Sequence, residues 1–364
     1  MKIITFIFLL VHGLTHFLGF AKGYHLARVE QLKQPISRGY GTAWLVTGVV
    51  FLLSLLLFSL ERDWWWMPAL LAVIGSQFLV IRFWQDAKFG TFANGILLFL
   101  VVVGFGQWSF GQMVRSERMD ILAGQMPAPT EVQARPLSTL PPLVQRWLSY
   151  ADIGTGEDIR TVHLWQEGEM RTSAGGQWMR LAAQQWFTTQ PPGFIWSARV
   201  SPKSLIQLRG RDLLRDGKGK MLIKLYSLFP VVKASGPEID QGAMVRYLSE
   251  IIWFPTAALR DYIHWETVSD NRVQATLTQG DMKISGIFEI NEQGQVTGFE
   301  ARRYYNREEG PTLETWVIKV DPSSYRQFGG VNIPTRAEVT WELKSGDFTW
   351  LRLEITRVEY NILP

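Results

Sequence analysis

Cysteine is absent from the 364 residues. A disulfide framework, a thiolate metal site and a cysteine nucleophile are therefore excluded. A thiol-free chain suits an oxidising or a reducing compartment equally. Charge is also scarce: Asp, Glu, Lys and Arg make up 19% of the chain, against about 25% in an ordinary globular protein. The shortage is local. Up to Arg118 there are ten basic and five acidic residues, and the remainder holds twenty-seven against twenty-eight. The last two thirds thus lack a basic tract, which excludes nucleic acid as a partner, since that needs a concentrated basic footprint. Histidine numbers five. Beyond Arg118 only His163 and His264 occur, each alone, and a strand-facing or surface role is the default for both. No Gly-x-Ser-x-Gly elbow, His-Glu-x-x-His, Walker or dinucleotide string occurs. Lys218 in Gly217-Lys-Gly219 stands in too short a string for a phosphate loop. No cofactor and no metal are expected.

Long uncharged runs are abundant in the first third. Four lie between Lys2 and Lys22, Arg38 and Glu61, Asp63 and Arg82, and Lys88 and Arg115. A helix needs roughly 20 apolar residues to cross about 30 Å of hydrocarbon, so four spans are expected over residues 1–118. The third, Trp64–Ile81, is at the short end. The first carries His12, His16 and Lys22 and lacks a small-x-small cleavage site, so it reads as a retained helix rather than a signal peptide. Six positives (Lys22, Arg28, Lys33, Arg38, Arg82, Lys88) share one side, and four (Lys2, Arg62, Arg115, Arg118) the other. The positive-inside rule puts the six in the cytoplasm and the C-terminal part outside, periplasmic in a Gram-negative cell with the spans in its inner membrane. Trp64, Trp65 and Trp66 form an interfacial anchor.

Four polar residues mark these spans. His12 and His16 share a helical face. They suit a ligand pair or proton relay, or hydrogen bonding between helices that Gly13 and Gly19 let approach closely; the latter is favoured. Arg82 and Asp86, four apart, flank Trp84 and are placed to pair.

Met126–Pro136 is proline-rich and suits an extended connector, placed at 119–139. Leu143, Val144, Trp147 and Leu148 then share one face of a short amphipathic helix that Gly154 ends. The period next changes to two. Strands are expected at Thr161–Met170, Gly176–Thr189, Phe194–Val200, Ser204–Leu213, Lys218–Leu228, Arg272–Thr278, Met282–Ile290, Val296–Tyr305, Leu313–Val320, Asn332–Leu343 and Phe348–Tyr360. Ala337, Val339, Trp341 and Leu343 alternate with Arg336, Glu338, Thr340, Glu342 and Lys344. Such alternation marks an antiparallel sheet with one wet face, and about ten strands in a row curl or close.

One helix interrupts the strands. Asp240 is expected as its N-cap, Met244, Val245, Leu248, Ile251 and Ile252 form its apolar stripe, and Pro255 closes it. Ala257–His264 is expected as a second, short helix. Arg246 and Glu250 sit four apart and can pair. Arg211 and Asp212 lie in a Gly210-Arg-Asp212 string. If buried, these charges must be paired, either as a fixed structural set or as a polar latch at a cavity mouth. Ten tryptophans follow residue 118. They fill the core of a wide sheet or line an apolar cavity with a few placed polar groups.

Two sets of strings carry a resemblance. The first is His12-Gly-Leu-Thr-His-Phe-Leu-Gly-Phe-Ala-Lys22, Gln34-Pro-Ile-Ser-Arg38 and Trp84-Gln-Asp-Ala-Lys-Phe-Gly-Thr91 with Asn94. The second is Gly210-Arg-Asp212, Gly217-Lys-Gly219, Arg246-Tyr-Leu-Ser-Glu-Ile-Ile-Trp-Phe-Pro255, and Ile333-Pro334 followed by Trp341. Together they resemble an uncharacterised bacterial membrane-protein family, a domain of unknown function, over nearly the whole chain. That resemblance brings no activity. In architecture alone the strand-rich part resembles the LolA/LppX half-barrels that shelter acyl chains, and the membrane part resembles small DoxX-like proteins. Fold by itself does not confer function.

The expected architecture is a four-helix transmembrane bundle (1–118), a linker (119–139) and an extracytoplasmic α+β domain (140–364). In that domain a large curled antiparallel sheet, half-barrel-like, packs on one or two helices, one of them 240–254. The expected ligand site is Trp196, Arg211, Asp212, Arg246, Leu248, Glu250, Ile252, Trp253 and Trp341, beside the membrane polar residues His12, His16, Arg82 and Asp86. The expected partner is membrane lipid or another hydrophobic ligand. The alternatives are docking of an envelope protein on a filled core, and an enzyme acting on a membrane substrate through Arg246, Glu250, Arg211 or Asp212.

Overall fold

A computed structural model describes residues 1–123, 135–153, 158–203 and 206–362. Two compact units emerge, Met1–Met113 with Tyr226–Leu228, and Val114–Leu225 with Phe229–Pro364.

The first unit is helical: α1 (Lys2–Gly23), α2 (Arg38–Ser59), α3 (Trp66–Arg82), the single turn α4 (Trp84–Ala87), and the start of α5 (Gly90–Ala123). Helices α1, α2 and α5 are long and apolar enough to cross a membrane. Helix α3 has 17 residues; at 1.5 Å per residue it spans about 26 Å, short of the about 30 Å of hydrocarbon. Three candidate spans and one shorter apolar helix thus replace the expected four. Helices α1 and α2 approach through glycine. A Cβ on Gly48 would stand 3.0 Å from the Gly13 carbonyl, and one on Gly19 would fall inside the Trp44 ring. The Gly19 site admits only a hydrogen, and a side chain at Gly48 would need the helices to give by a few tenths of an ångström.

The second unit contains α6 (Pro142–Tyr150), α7 (Pro237–Glu250) and fifteen strands among its described residues. The strands are β1 (Thr161–Met170), β2 (Met179–Thr189), β3 (Pro192–Lys203), β4 (Ile206–Arg215), β5 (Lys218–Leu225), β6 (Phe229–Ser235), β7 (Ile263–Thr267), β8 (Arg272–Gln279), β9 (Met282–Ile290) and β10 (Val296–Tyr305). They continue as β11 (Thr312–Val320), β12 (Tyr325–Phe328), β13 (Val331–Pro334), β14 (Arg336–Glu342) and β15 (Phe348–Tyr360). Thirteen form one antiparallel sheet in the order β6-β5-β4-β3-β2-β1-β15-β14-β11-β10-β9-β8-β7, and β12 pairs with β13 apart from it. The register shifts at Trp165/Gln166, Ile223/Lys224, Val296/Gly298 and Val339/Thr340. Such bulges bend a strand and increase its twist, and a sheet this wide curls into a half-barrel.

The alternation that predicts the strands fixes their inner face. In β14, Ala337, Val339 and Trp341 are buried while Arg336, Glu338 and Glu342 are exposed. The main core joins this face to α6 and α7, with Trp147 stacked on Phe288 and edge-on to Trp265. A smaller cluster of Leu181, Ala183, Ala198 and Val200 sits apart.

Several expectations are corrected. The central helix starts three residues early, at Pro237, so Asp240 is not its N-cap. Proline is pre-shaped for a first turn, and Gly236 enters it at φ 119°, where a side chain would be strained. Asp240 instead accepts from Gly219 N (2.7 Å) and pairs with Lys218 (2.9 Å), tying the helix start to β5. The helix ends at Glu250 and tightens into a 3-10 turn at Ile251–Trp253. Residues 257–264 are no helix: a 3-10 turn, Pro255–Leu259, runs on to β7. Helix α6 ends at Tyr150; Gly154, expected to end it, lies outside the described residues, as does 124–134 of the expected connector.

Candidate functional site

Helix α7 lies on the inner face, buried along Met244, Val245, Tyr247, Leu248 and Ser249. Between this helix and nine neighbouring strands, β5 to β10 across the sheet, lies a cavity of about 250 Å³. Its walls are nearly all apolar. Met170, Met179, Leu181, Val200, Leu208, Met221 and Ile223 line one flank; Trp316, Ile318, Val339, Trp350 and Leu353 line the other; Ile252 and Trp253 cover it. Leu181, Ala198 and Val200 of the small cluster reach towards this space, and Trp196 and Leu351 pack against both that cluster and the main core.

Charged residues meet at the same place. Arg246 donates from Nη1 to Asp212 Oδ2 and from Nε to Glu250 Oε1, both at 2.9 Å. Gln185 donates to Glu250 Oε2 (2.8 Å), and its Oε1 accepts from Gln166 Nε2 (3.0 Å) and Arg246 Nη2 (3.3 Å). Trp196 Nε1 donates to Gln166 Oε1 (2.8 Å), closing a chain from helix to sheet. The Arg246 guanidinium also lies 4.9 Å from the Trp196 ring and 5.1 Å from that of Phe194. Burial opposes the Arg246 charge, but the Glu250 and Asp212 carboxylates more than offset it and raise its pKa. Burial holds the Glu250 carboxyl above the usual range, with Asp212 adding to the effect, while Arg246 pulls it back. One guanidinium between two buried carboxylates is a firm connection, since removing it leaves both acids without their counter-charge.

Seven of the nine expected ligand-site residues reach the cavity wall: Trp196, Arg211, Asp212, Arg246, Glu250, Ile252 and Trp253. Leu248 is fully buried in the core, and Trp341 stands behind the wall at 6.5 Å from Trp316 and 5.0 Å from Tyr305. Arg211 and Asp212 part company, because neighbours on a strand face opposite ways. Arg211 pairs with Glu117 at 3.0 Å, and Asp212 pairs with Arg246.

Gln185, Gln166 and Arg303 belong to the site as well. Each interrupts an inward-facing row: Leu181, Ala183, Gln185, Phe187 on β2; Leu164, Gln166 on β1; Phe299, Ala301, Arg303 on β10. A polar side chain at an inward position is the signal that finds them.

Of the polar residues expected within the membrane, His12 Nε2 lies 2.8 Å from Asn94 Oδ1 and 3.1 Å from Ser76 Oγ, and His16 Nδ1 donates to the His12 carbonyl at 2.7 Å. Both line a second cavity of about 450 Å³ within the helical unit. Among the described residues no group of His, Asp and Glu could hold a metal ion. Arg82 and Asp86 do not pair. Arg82 Nε donates to Tyr40 Oη (3.3 Å) and packs on Tyr40 and Phe83, while Asp86 accepts from Gln34 N (2.7 Å).

The profile of a family of unknown function, DUF6544, matches residues 130–353. Comparison with the curated proteins finds no match. Three of the solved structures that are similar follow. One is a domain from Vibrio parahaemolyticus, provisionally called an outer membrane lipoprotein-sorting protein: 10% identity, 62% of this chain and 94% of that one, TM-score 0.31. Another is a DUF1329 family protein from Desulfovibrio piger: 10% identity, 63% and 94%, TM-score 0.37. The third is a β-barrel-like protein of the domain of unknown function DUF1849 from Brucella abortus: 9% identity, 56% and 98%, TM-score 0.23. Likenesses this low bear on neither ligand nor activity.

Proposed function

We propose that this chain, which belongs to the DUF6544 family, is a membrane-tethered binder of a lipid or other amphiphile. Residues 140–364 form the binding domain, and residues 1–118 the anchor in the inner membrane, joined by 119–139. The domain lies on the periplasmic side, as the distribution of Lys and Arg between the loops favours with α3 counted as a crossing.

The observation that carries this reading is the apolar cavity of about 250 Å³ between α7 and the inner sheet face. A filled core would close such a space, because voids cost dispersion contacts and protein interiors pack like crystals. The volume falls just under the about 300–1,000 Å³ of small-molecule sites, which suits one chain rather than a whole bilayer lipid. The walls offer methionine, which adapts to irregular apolar guests, and indole faces. The Arg246 set holds the helix in place over the cavity, so the roof survives while the cavity is empty.

The test is native mass spectrometry of the full-length protein, released from detergent in the gas phase. An adduct of amphiphile mass is expected on the wild type. Gly210→Leu should remove it: a Cβ at Gly210 meets only Trp196, at 3.5 Å, so the larger side chain projects into open space. An adduct-free wild type that also binds no acyl probe would contradict the reading.

A further inference from the structure

We propose that the cavity selects an amphiphile with an oxyanion head group, a carboxylate or a phosphate, and that Arg303 is the residue that reads it. This rests on the lipid-binding reading and adds the class of ligand.

Arg303 stands on the cavity wall with Trp316 and Glu250. Among the described residues its guanidinium makes no hydrogen bond and no contact ion pair. Its neighbours are the faces of Trp316 (4.8 Å) and Trp341 (5.9 Å) and the backbone of α7 at Gly242, where a Cβ would stand 3.1 Å from Nε. Aromatic faces steady a cation but accept none of its five N–H donors in line. The carboxylates that act on it from a distance, Asp212 and Glu250, are both bonded to Arg246. Arg303 therefore differs from Arg246 and Arg211, each of which has its own acid. Burial lowers its pKa to about 10, with Asp212 opposing and Arg246 adding to the fall, so it stays charged at neutral pH.

A half-buried guanidinium without a contact acid, at the wall of an apolar space, has its N–H donors open to an acceptor. A carboxylate or phosphate matches its planar fork with paired hydrogen bonds. An ester or alcohol head offers neither the charge nor the pair. The apolar wall takes the chain, and Arg303 fixes the polar end.

The experiment uses the full-length protein in nanodiscs and four compounds: cis-parinaric acid and its methyl ester as probes, and palmitoyl lysophosphatidate and palmitate as competitors. Signal that Gly210→Leu leaves intact is subtracted as partitioning into lipid. The wild type should bind the acid at least tenfold tighter than the ester. Arg303→Met should erase that preference while ester affinity stays within twofold, which also shows that the variant is folded. Arg303→Lys should restore part of it, and Gly242→Ala, which displaces the guanidinium, should weaken it. Displacement by lysophosphatidate at lower concentration than by palmitate assigns the phosphate as the preferred head, and the reverse assigns the carboxylate; either supports the proposal. Equal binding of acid and ester by the wild type, or a preference that survives Arg303→Met, overturns the head-group assignment and leaves the apolar cavity standing. Binding of neither probe overturns both readings.

Discussion

Replacing Arg246 by methionine should destabilise the second unit strongly at neutral pH and only weakly in mild acid. Arg246 bonds Asp212 and Glu250 at 2.9 Å each, and both carboxylates are buried. Without the guanidinium each must stay charged in an apolar setting or take up a proton. The cheaper route sets the loss. Protonating a carboxyl of ordinary pKa, about 4.3, costs about 4.4 kcal/mol at pH 7.5 and about 1 kcal/mol at pH 5, at about 1.36 kcal/mol per unit. Removing one member of a buried charged set costs about 3–5 kcal/mol. We therefore expect a loss of about 4 kcal/mol at pH 7.5 and about 1–2 kcal/mol at pH 5. The sign follows from linkage. In the variant the folded-state carboxyl pKa values lie above the unfolded ones, so the folded form binds more protons and stability falls as pH rises past about 4.3. Urea denaturation of the full-length protein in detergent, followed by tryptophan fluorescence, reads the loss. Adding Glu250→Gln and Asp212→Asn should recover most of it at pH 7.5. A loss below about 1 kcal/mol at pH 7.5, or an equal loss at both pH values, would refute the reasoning.

Gly286→Ala should cost about 1–3 kcal/mol or more, because its Cβ would stand 2.2 Å from Phe299 Cζ in a closed core; the same denaturation measures it, and a neutral result would show that the ring moves freely. Tyr247→Phe should cost about 1–2 kcal/mol, since the buried Tyr247 hydroxyl donates to the Thr188 carbonyl at 3.1 Å and lies 3.0 Å from Tyr262 Oη; acyl-probe affinity should hold, because Tyr247 does not reach the cavity wall. Burial chiefly lowers the His163 pKa to about 4, with Gln184 opposing. The folded form thus keeps the ring neutral, and stability is lost as pH falls from about 6.5 through about 4, by on the order of 2 kcal/mol after allowing for partial exposure. Denaturation of His163→Gln across that range should show a flatter profile, and an unchanged slope would contradict the assignment.

The inner-facing alternation was legible wherever a strand pairs on both sides with one face wet: β1, β9, β10 and β15 fall at the residues the pattern marks. It was not legible in β6, whose Phe229, Val231 and Val232 are exposed along a sheet edge with no alternating burial. The expected strand Asn332–Leu343 is two. Thr335 turns aside to bond Ser324 through both its backbone N and its hydroxyl, so the residues before and after it enter different sheets. At the site, the Arg246–Glu250 spacing announces its own pairing. The Asp212–Arg246 contact does not, because it joins residues 34 apart that meet only once the helix lies across the sheet. Arg303 was hidden for a different reason: the Arg302-Arg303 pair reads as surface charge until the register places Arg303 beside Ala301 on the inward row.

The most direct test of the apolar cavity as a chain-binding site is the position of a heavy atom. Crystals of the full-length protein grown with a fatty acid brominated in mid-chain should show an anomalous bromine peak between Trp196, Trp253 and Trp316. Peaks confined to the helical unit or the solvent boundary, with side chains closed over that space, would contradict the account.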